Sequence, residues 1–273
     1  MACKTSEAEC FEYIIGLIYE RSRIRLHDGK QSLIRARLGK RMRAHGFESF
    51  EAYCDFLRHG ADEEEMTHVV DALTTNFTSF LREQDHFEFL VKEALPGLLG
   101  VGRKDFAVWS AACATGEEPY SLACYLAHFY PMAAGWDWRI LATDISTKAL
   151  GKAKAGIYGL DRIEQVSTEW RRKFFQRGVG QWEGQCRVRP QLQERVEFRQ
   201  VNLLEPYNFN RSFEVIFCRN VMIYFDRPTQ EQLVRQLCRQ LVPGGYLLVG
   251  HSESLNGLDT GMRCVRPSIY VKG

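Results

Sequence analysis

The chain has 273 residues, 45% of them apolar and 12% aromatic, enough for one large domain or for a large and a small one. Its formal net charge of +2 is too small to argue for nucleic acid by itself, and no apolar run approaches the roughly 20 residues of a membrane span. Nine cysteines, an odd number with no C-x-x-C pair, argue against a metal cluster or a disulfide framework and fit a reducing cytoplasm. The start, Met1 to Glu7, is polar and mixed in charge and carries no visible secretory signal.

Residues 6 to 100 read as all helix. Helical apolar spacing marks segments near 6–25, 32–45, 48–59, 62–73 and 84–99, broken by Gly29, Gly46 and Gly60. The stretch 21–43 carries Arg21, Arg23, Arg25, Lys30, Arg35, Arg37, Lys40, Arg41 and Arg43 against Asp28 alone. Ile34, Leu38 and Met42 would share one helix face. The basic remainder is either a solvated surface or a docking face for an acidic macromolecule. In 74–84, polar Asn76, Thr78 and Arg82 interleave with Phe77, Phe80 and Leu81 without a clean helical period. Such a segment is a capped helix connection or a loop facing a site.

From residue 105 strands and helices alternate. Strands are expected at Phe106–Ala111, Arg139–Thr143, Val196–Val201, Val215–Cys218 and Tyr246–Val249, with a clear helix at Thr229–Leu241. A closing hairpin pairs Met262–Val265 with Ile269–Val271. This alternation implies a mostly parallel sheet with helices on both faces. Residues 171–200 break it: Arg177-Gly-Val-Gly180, Gly184 and the short run Cys186–Pro190 suggest a small antiparallel β insertion. The expected division is a helical domain over 1–83 and a sheet domain over 84–273.

The stretch Val108 to Leu122 reads as a buried strand, a turn of small residues, and a helix with Glu117, Glu118 and Pro119 in its first turn. A strand–turn–helix of this kind holds a nucleoside-bearing cofactor at the end of the first strand of an open α/β sheet. Two carboxylates there would repel a pyrophosphate but suit a cation with ribose hydroxyls, which points from a nicotinamide dinucleotide towards S-adenosylmethionine. Asp144, closing the second strand, suits ribose hydroxyls or caps the next helix. Asn202 and Leu203 follow the third strand, where an adenine edge would be read; spacing alone favours an ordinary loop asparagine. Arg219, Asn220 and Tyr224 follow the fourth strand, polar groups among apolar ones that need a partner or a use. Gly250-His-Ser-Glu-Ser254 lacks the G-x-S-x-G elbow of serine hydrolases and reads as the loop after the fifth strand.

Together Thr75–Glu83, Trp109–Ser121, Ala142–Ile145, Val201–Leu203, Ile216–Phe225 and Gly250–Glu253 closely resemble the chemotaxis receptor methyltransferases, the CheR family. They stand in the family's order and cover most of the chain. The resemblance implies an N-terminal helical domain and a Rossmann-like S-adenosylmethionine-dependent methyltransferase domain with an inserted β subdomain. It implies methyl transfer to glutamates on chemoreceptor signalling helices. It assigns the cofactor to Asn76, Thr78, Arg82, Glu118, Asp144, Asn202, Leu203, Arg219 and Asn220. Arg82 and Tyr224 would sit nearest the transferred methyl. In some relatives the β subdomain grips a receptor's C-terminal tethering peptide, and Arg177–Gly180 looks like that type. Leu81 departs from the pattern, since many relatives carry a second aromatic there. No metal, nucleic acid or membrane insertion is implied.

Two other readings compete. Amino-directed nucleic-acid methyltransferases place an Asp/Asn-Pro-Pro-Tyr/Phe run after the fourth strand, where Cys218-Arg-Asn-Val221 stands here. A non-catalytic scaffold binding the same cofactor is the second. Of the two first-turn acids, Glu118 is expected to touch the ligand and Glu117 to serve the helix's positive end.

Overall fold

The structure, a computed structural model, describes residues 6–26, 29–74 and 76–273. Most of the N-terminal stretch read for a signal, Asp28 of the basic run and Thr75 of the family motif lie outside these residues. Every cysteine among the described residues is a free thiol.

The chain forms two compact units. One runs to residue 75 and also takes in Tyr224–Asp226; the other is Asn76–Ile223 with Arg227–Gly273. The first is built from α1 (Glu7–Ser22), α2 (Gln31–Ala44), α3 (Phe50–His59) and α4 (Glu63–Leu73). Their starts carry the expected signals: Ser6 and Glu9 form a capping box, Ser49 caps α3 and Asp62 caps α4. Cys10, Ile14, Leu17 and Ile18 make one apolar stripe of α1, and Ile34 and Leu38 bury the inner face of α2. Asp226 joins this unit by accepting from Tyr19 Oη and Arg25 Nη2, each at 3.0 Å.

The second unit opens with α5 (Asp85–Phe89), which runs through a π-helical turn at Leu90–Ala94 into α6 (Leu95–Leu98). Then come β1 (Asp105–Ala111), α7 (Glu117–Phe129), β2 (Asp137–Asp144) and α8 (Thr147–Ala155), followed by β3 (Ile157–Gly159), α9 (Thr168–Phe174), β4 (Phe175–Arg177), β5 (Gln185–Val188) and α10 (Pro190–Gln193). The chain ends with β6 (Val196–Gln200), β7 (Phe213–Cys218), α11 (Arg227–Gln240), β8 (Leu241–Leu248), β9 (Met262–Arg266) and β10 (Ile269–Lys272). The main sheet has the order β6-β2-β1-β7-β8-β10-β9. Its first five strands are parallel, and the last two add the antiparallel hairpin. Strand order reverses between β1 and β7, and the carboxyl ends of strands at such a switch point flank the ligand crevice of an open α/β sheet.

Two expected boundaries move. The helical domain stops at 75, not 83, because Phe80 is buried in the sheet unit's core with its ring edge-on to Tyr158 and Phe175. The β insertion starts at Ile157 rather than 171 and ends before β6, which is the outermost parallel strand of the main sheet. Its own sheet has the order β3-β5-β4.

Candidate active site

The loop after β1 is held in a conformation few side chains accept. Ala112, Ala114 and Gly116 have φ of 65°, 48° and 96°. Gly116 is required twice over, because a Cβ there would stand 2.8 Å from both Ala153 Cβ and Tyr158 Oη. Bonds to β2 hold the loop. Cys113 N donates to Thr143 O at 2.8 Å, and Ala114 N donates to Asp144 Oδ2 at 2.8 Å. The other oxygen of Asp144 accepts from Ser146 N at 2.8 Å, while the cap of α8 is Ser146 itself. Asp144 thus ties the ends of two strands together, while Ser146 caps the helix.

The two acids of the first turn of α7 have different partners. Glu117 is fully buried, pairs with Arg162 and accepts from Thr115 Oγ1 at 2.6 Å. Glu118 accepts from Ser110 Oγ at 2.7 Å and from Arg219 Nη1 at 3.1 Å. Arg219 is the hub. Its Nε and Nη2 donate to Glu83 Oε2 at 3.3 and 2.8 Å, and Nη2 also donates to Arg82 O at 2.5 Å. Its guanidinium carbon lies 5.5 Å and 5.9 Å from the ring centres of Phe87 and Phe217.

The carboxylates on either side of Arg219 are pushed apart electrostatically. Burial pushes the Glu118 carboxyl above the usual range, and the charge of Arg219 and the Ser110 hydroxyl only partly oppose it. Burial acts on Glu83 too. There the hydrogen bonds and charge of Arg219, with donors from Asn220 and His251, outweigh it and hold the carboxyl below its ordinary value. Glu83 and Glu118 share the buried cation of Arg219, and Asp144 stands at the end of the strand next to β1. Such a donor set fits a ligand with a net positive charge and hydroxyls, and it does not fit a pyrophosphate.

The remaining expected residues lie on the same unit, with one exception. Asn76 Nδ2 donates to Ser146 Oγ at 3.4 Å, beside the cap that Asp144 holds. Thr78 is buried and its carbonyl accepts from Arg162 Nη2 at 2.6 Å. Arg82 Nη1 donates to Phe77 O at 3.3 Å. Leu203 is buried after β6, while the Asn202 side chain bonds Glu205 and the Leu204 amide, the local turn that spacing favoured. Asn220 has φ 58° and sends Nδ2 to Glu83 at 3.3 Å. Tyr224 is the exception. It ends the 3₁₀ turn Met222–Tyr224, belongs to the helical unit, and its carbonyl accepts from Arg25 N at 3.1 Å.

Sequence reasoning missed two site residues. Glu83 stood in the quoted motif beside Arg82, and its partners Arg219 and Asn220 are more than 130 positions away. Glu253 stood in a loop read as a plain connection. It is buried and accepts backbone donors from Gly250, Asn220, Met222 and Ile223.

A mostly parallel sheet with a switch point beside its first strand, and buried carboxylates on an arginine there, is the frame expected of a methyltransferase that uses S-adenosylmethionine. Residues 76–271 match the family model described as the CheR methyltransferase, SAM binding domain, and residues 9–74 match the CheR methyltransferase, all-alpha domain. A chemotaxis protein methyltransferase of Salmonella typhimurium is 44% identical over 249 residues, 91% of this chain and 84% of that protein. Another, from Escherichia coli, is 40% identical over 262 residues, 96% of this chain and 90% of that protein. The chain belongs to the CheR methyltransferase family.

Proposed function

We propose that this chain transfers the methyl group of S-adenosylmethionine to glutamate side chains on chemoreceptor signalling helices, in the cytoplasm, as the adaptation step of chemotaxis. The observation that carries the reading is the set of carboxylates, Glu83 and Glu118 on Arg219 and Asp144 on the β1 loop, at the ends of β1, β2 and β7 in a chain of this family. No described helix is long and apolar enough to cross a membrane.

The cofactor would be held by Asn76, Thr78, Arg82, Glu118, Asp144, Asn202, Leu203, Arg219 and Asn220. When bound it supplies a methyl group made electrophilic by a positively charged sulfur. The acceptor carboxylate is already nucleophilic at neutral pH, so the chain supplies no strong general base. Its contribution is positioning and the exclusion of water from two opposite charges. Arg82 would position a carboxylate, and Tyr224 would orient the acceptor through its hydroxyl. The products are a glutamyl methyl ester and S-adenosylhomocysteine.

The helical unit refines the idea of a basic docking face. Arg37 is spent on the carbonyls of Leu73 and Thr74, and Arg41 on buried Glu65. Lys40 and Arg43 remain exposed and are the residues to steer an acidic receptor helix. In the β subdomain, β4 is an edge strand, to which an extended tethering peptide would add. Val179 and Trp182 are exposed in the adjoining loop, and a Cβ on Gly178 would collide with the Trp182 carbonyl at 2.1 Å.

Calorimetry with S-adenosylmethionine and S-adenosylhomocysteine, then a methyl-radiolabel assay on receptor-containing membranes, tests the reading. Base-labile label on receptor protein is expected. Label on nucleic acid, or binding with no transfer, overturns it. Candidate receptor C-terminal peptides, titrated against Trp182 fluorescence, test the tether.

A further inference from the structure

We infer that Glu253, with Gly250, is a positioning residue for methyl transfer: one carboxylate sets both the Asn220 turn and the 3₁₀ turn that follows it. The inference rests on the proposed function and names a residue that touches neither cofactor nor acceptor in it.

The turn Met222–Tyr224 is a single 3₁₀ turn, too short to satisfy its own leading amides. The Glu253 carboxylate satisfies them from the loop after β8, the strand paired with β7. Oε1 accepts from Met222 N at 2.7 Å and Ile223 N at 3.3 Å, and Oε2 accepts from Asn220 N at 2.7 Å and Gly250 N at 2.6 Å. The Asn220 backbone also sits in the left-handed region, at φ 58°, a conformation that persists only where its surroundings impose it. Gly250 completes the clamp. A Cβ there would stand 2.4 Å from Asn220 Nδ2 and 2.9 Å from Glu253 Oε2. The absent side chain lets Asn220 reach Glu83, and through Glu83 the turn joins the Arg219 hub. Burial pushes the Glu253 carboxyl up despite its four backbone donors, so the position carries a cost that an isolated loop would have no reason to keep.

Two substitutions separate the two halves of the clamp. Glu253→Gln keeps the shape but replaces one acceptor oxygen with a donor, leaving at least one amide without a partner. Gly250→Ala keeps the carboxylate group and presses hardest on the Asn220 side chain, at 2.4 Å, with the Glu253 oxygen crowded less, at 2.9 Å; Gly250 does not have positive φ, so the backbone accepts alanine. Each variant is compared with wild type at equal folded fraction, by calorimetry with S-adenosylhomocysteine and by receptor methylation kinetics. Glu253→Gln is expected to lower kcat/KM by roughly 100-fold, with kcat and cofactor KM both affected. Gly250→Ala is expected to raise cofactor KM by roughly tenfold with kcat within about twofold of wild type. A merely structural role would lower the melting temperature and leave both constants of the folded protein unmoved, which overturns the inference. Should Glu253→Gln not fold, the KM-only response of Gly250→Ala decides alone. Wild type that fails to bind S-adenosylhomocysteine overturns the proposed function itself; wild type that binds and methylates beside unchanged variants overturns only the clamp.

Discussion

Each unit buries a carboxylate against an arginine, and the two carboxylates behave in opposite ways. In the helical unit Glu65 accepts from Arg41 Nε at 3.1 Å, Tyr53 Oη at 2.5 Å and His45 Nε2 at 2.8 Å. Burial raises its pKa, but those partners overcome it and bring the carboxyl to about 2. In the sheet unit Glu118 has Ser110 and a share of Arg219, whose other donors go to Glu83 and Arg82 O, and its carboxyl stays above the usual range. The first carboxylate is saturated and serves the fold. The second carries a burial penalty on its charged form that an arriving cation would relieve, and buried groups left in that condition cluster at functional sites.

The comparison breaks most severely at Arg219. Arg219→Ala would leave Glu83 and Glu118 buried without their shared cation. It is expected to cost about 3–5 kcal/mol of stability and to abolish measurable S-adenosylhomocysteine binding, read by denaturant unfolding and calorimetry. Retained binding would mean that the hub is only a fold element. Glu65→Gln is expected to cost about 2–4 kcal/mol in the same unfolding experiment with no change in cofactor affinity.

Acid titration sharpens the contrast. The Glu65 carboxyl falls from the ordinary 4.5 to about 2 on folding. Its contribution, about 3 kcal/mol, is therefore complete above pH 4.5 and is lost as pH falls towards 2. Glu65→Gln should flatten that acid limb. Glu118 has the opposite sign: its raised folded value makes the ionised form a burden that appears as pH rises past 4.5. Glu118→Gln should therefore leave stability at pH 7 equal or higher while weakening S-adenosylhomocysteine by about tenfold, roughly the worth of one charge-assisted hydrogen bond. A fall in stability at pH 7 would show that Glu118 is as structural as Glu65. The smallest effect is expected at the surface. Lys40→Glu with Arg43→Glu should slow receptor methylation by several-fold at low salt, with the difference vanishing at high salt.

Periodicity made the element order legible, because the central strands β1, β2 and β7 hold apolar runs and the helices of the first unit repeat their apolar positions. What stayed hidden was set by distant partners. Phe80 belongs to the sheet core through Tyr158 and Phe175, and no local pattern around residue 80 carries that. The three-residue strand Ile157–Gly159 is too short to show an alternation, so the insertion seemed to begin later than it does. Arg41 looked like a docking residue because its partner Glu65 lies 24 positions on, on another helix. At the candidate site, residue type and place pointed to Glu118 and Asp144, whereas Glu83 and Glu253 meet their partners through loops that come together only once the sheet has formed.

The root of the β insertion has a consequence for engineering. Between β3 and α9, Arg162 reaches both the Thr78 carbonyl and Glu117, and Gln165 reaches the Phe80 carbonyl. The insertion is thus riveted to the segment and the helix start that border the candidate site. Trimming it at its chain ends would pull out those rivets, so a minimal enzyme or a grafted recognition module must keep residues 157–165 whatever is exchanged beyond them.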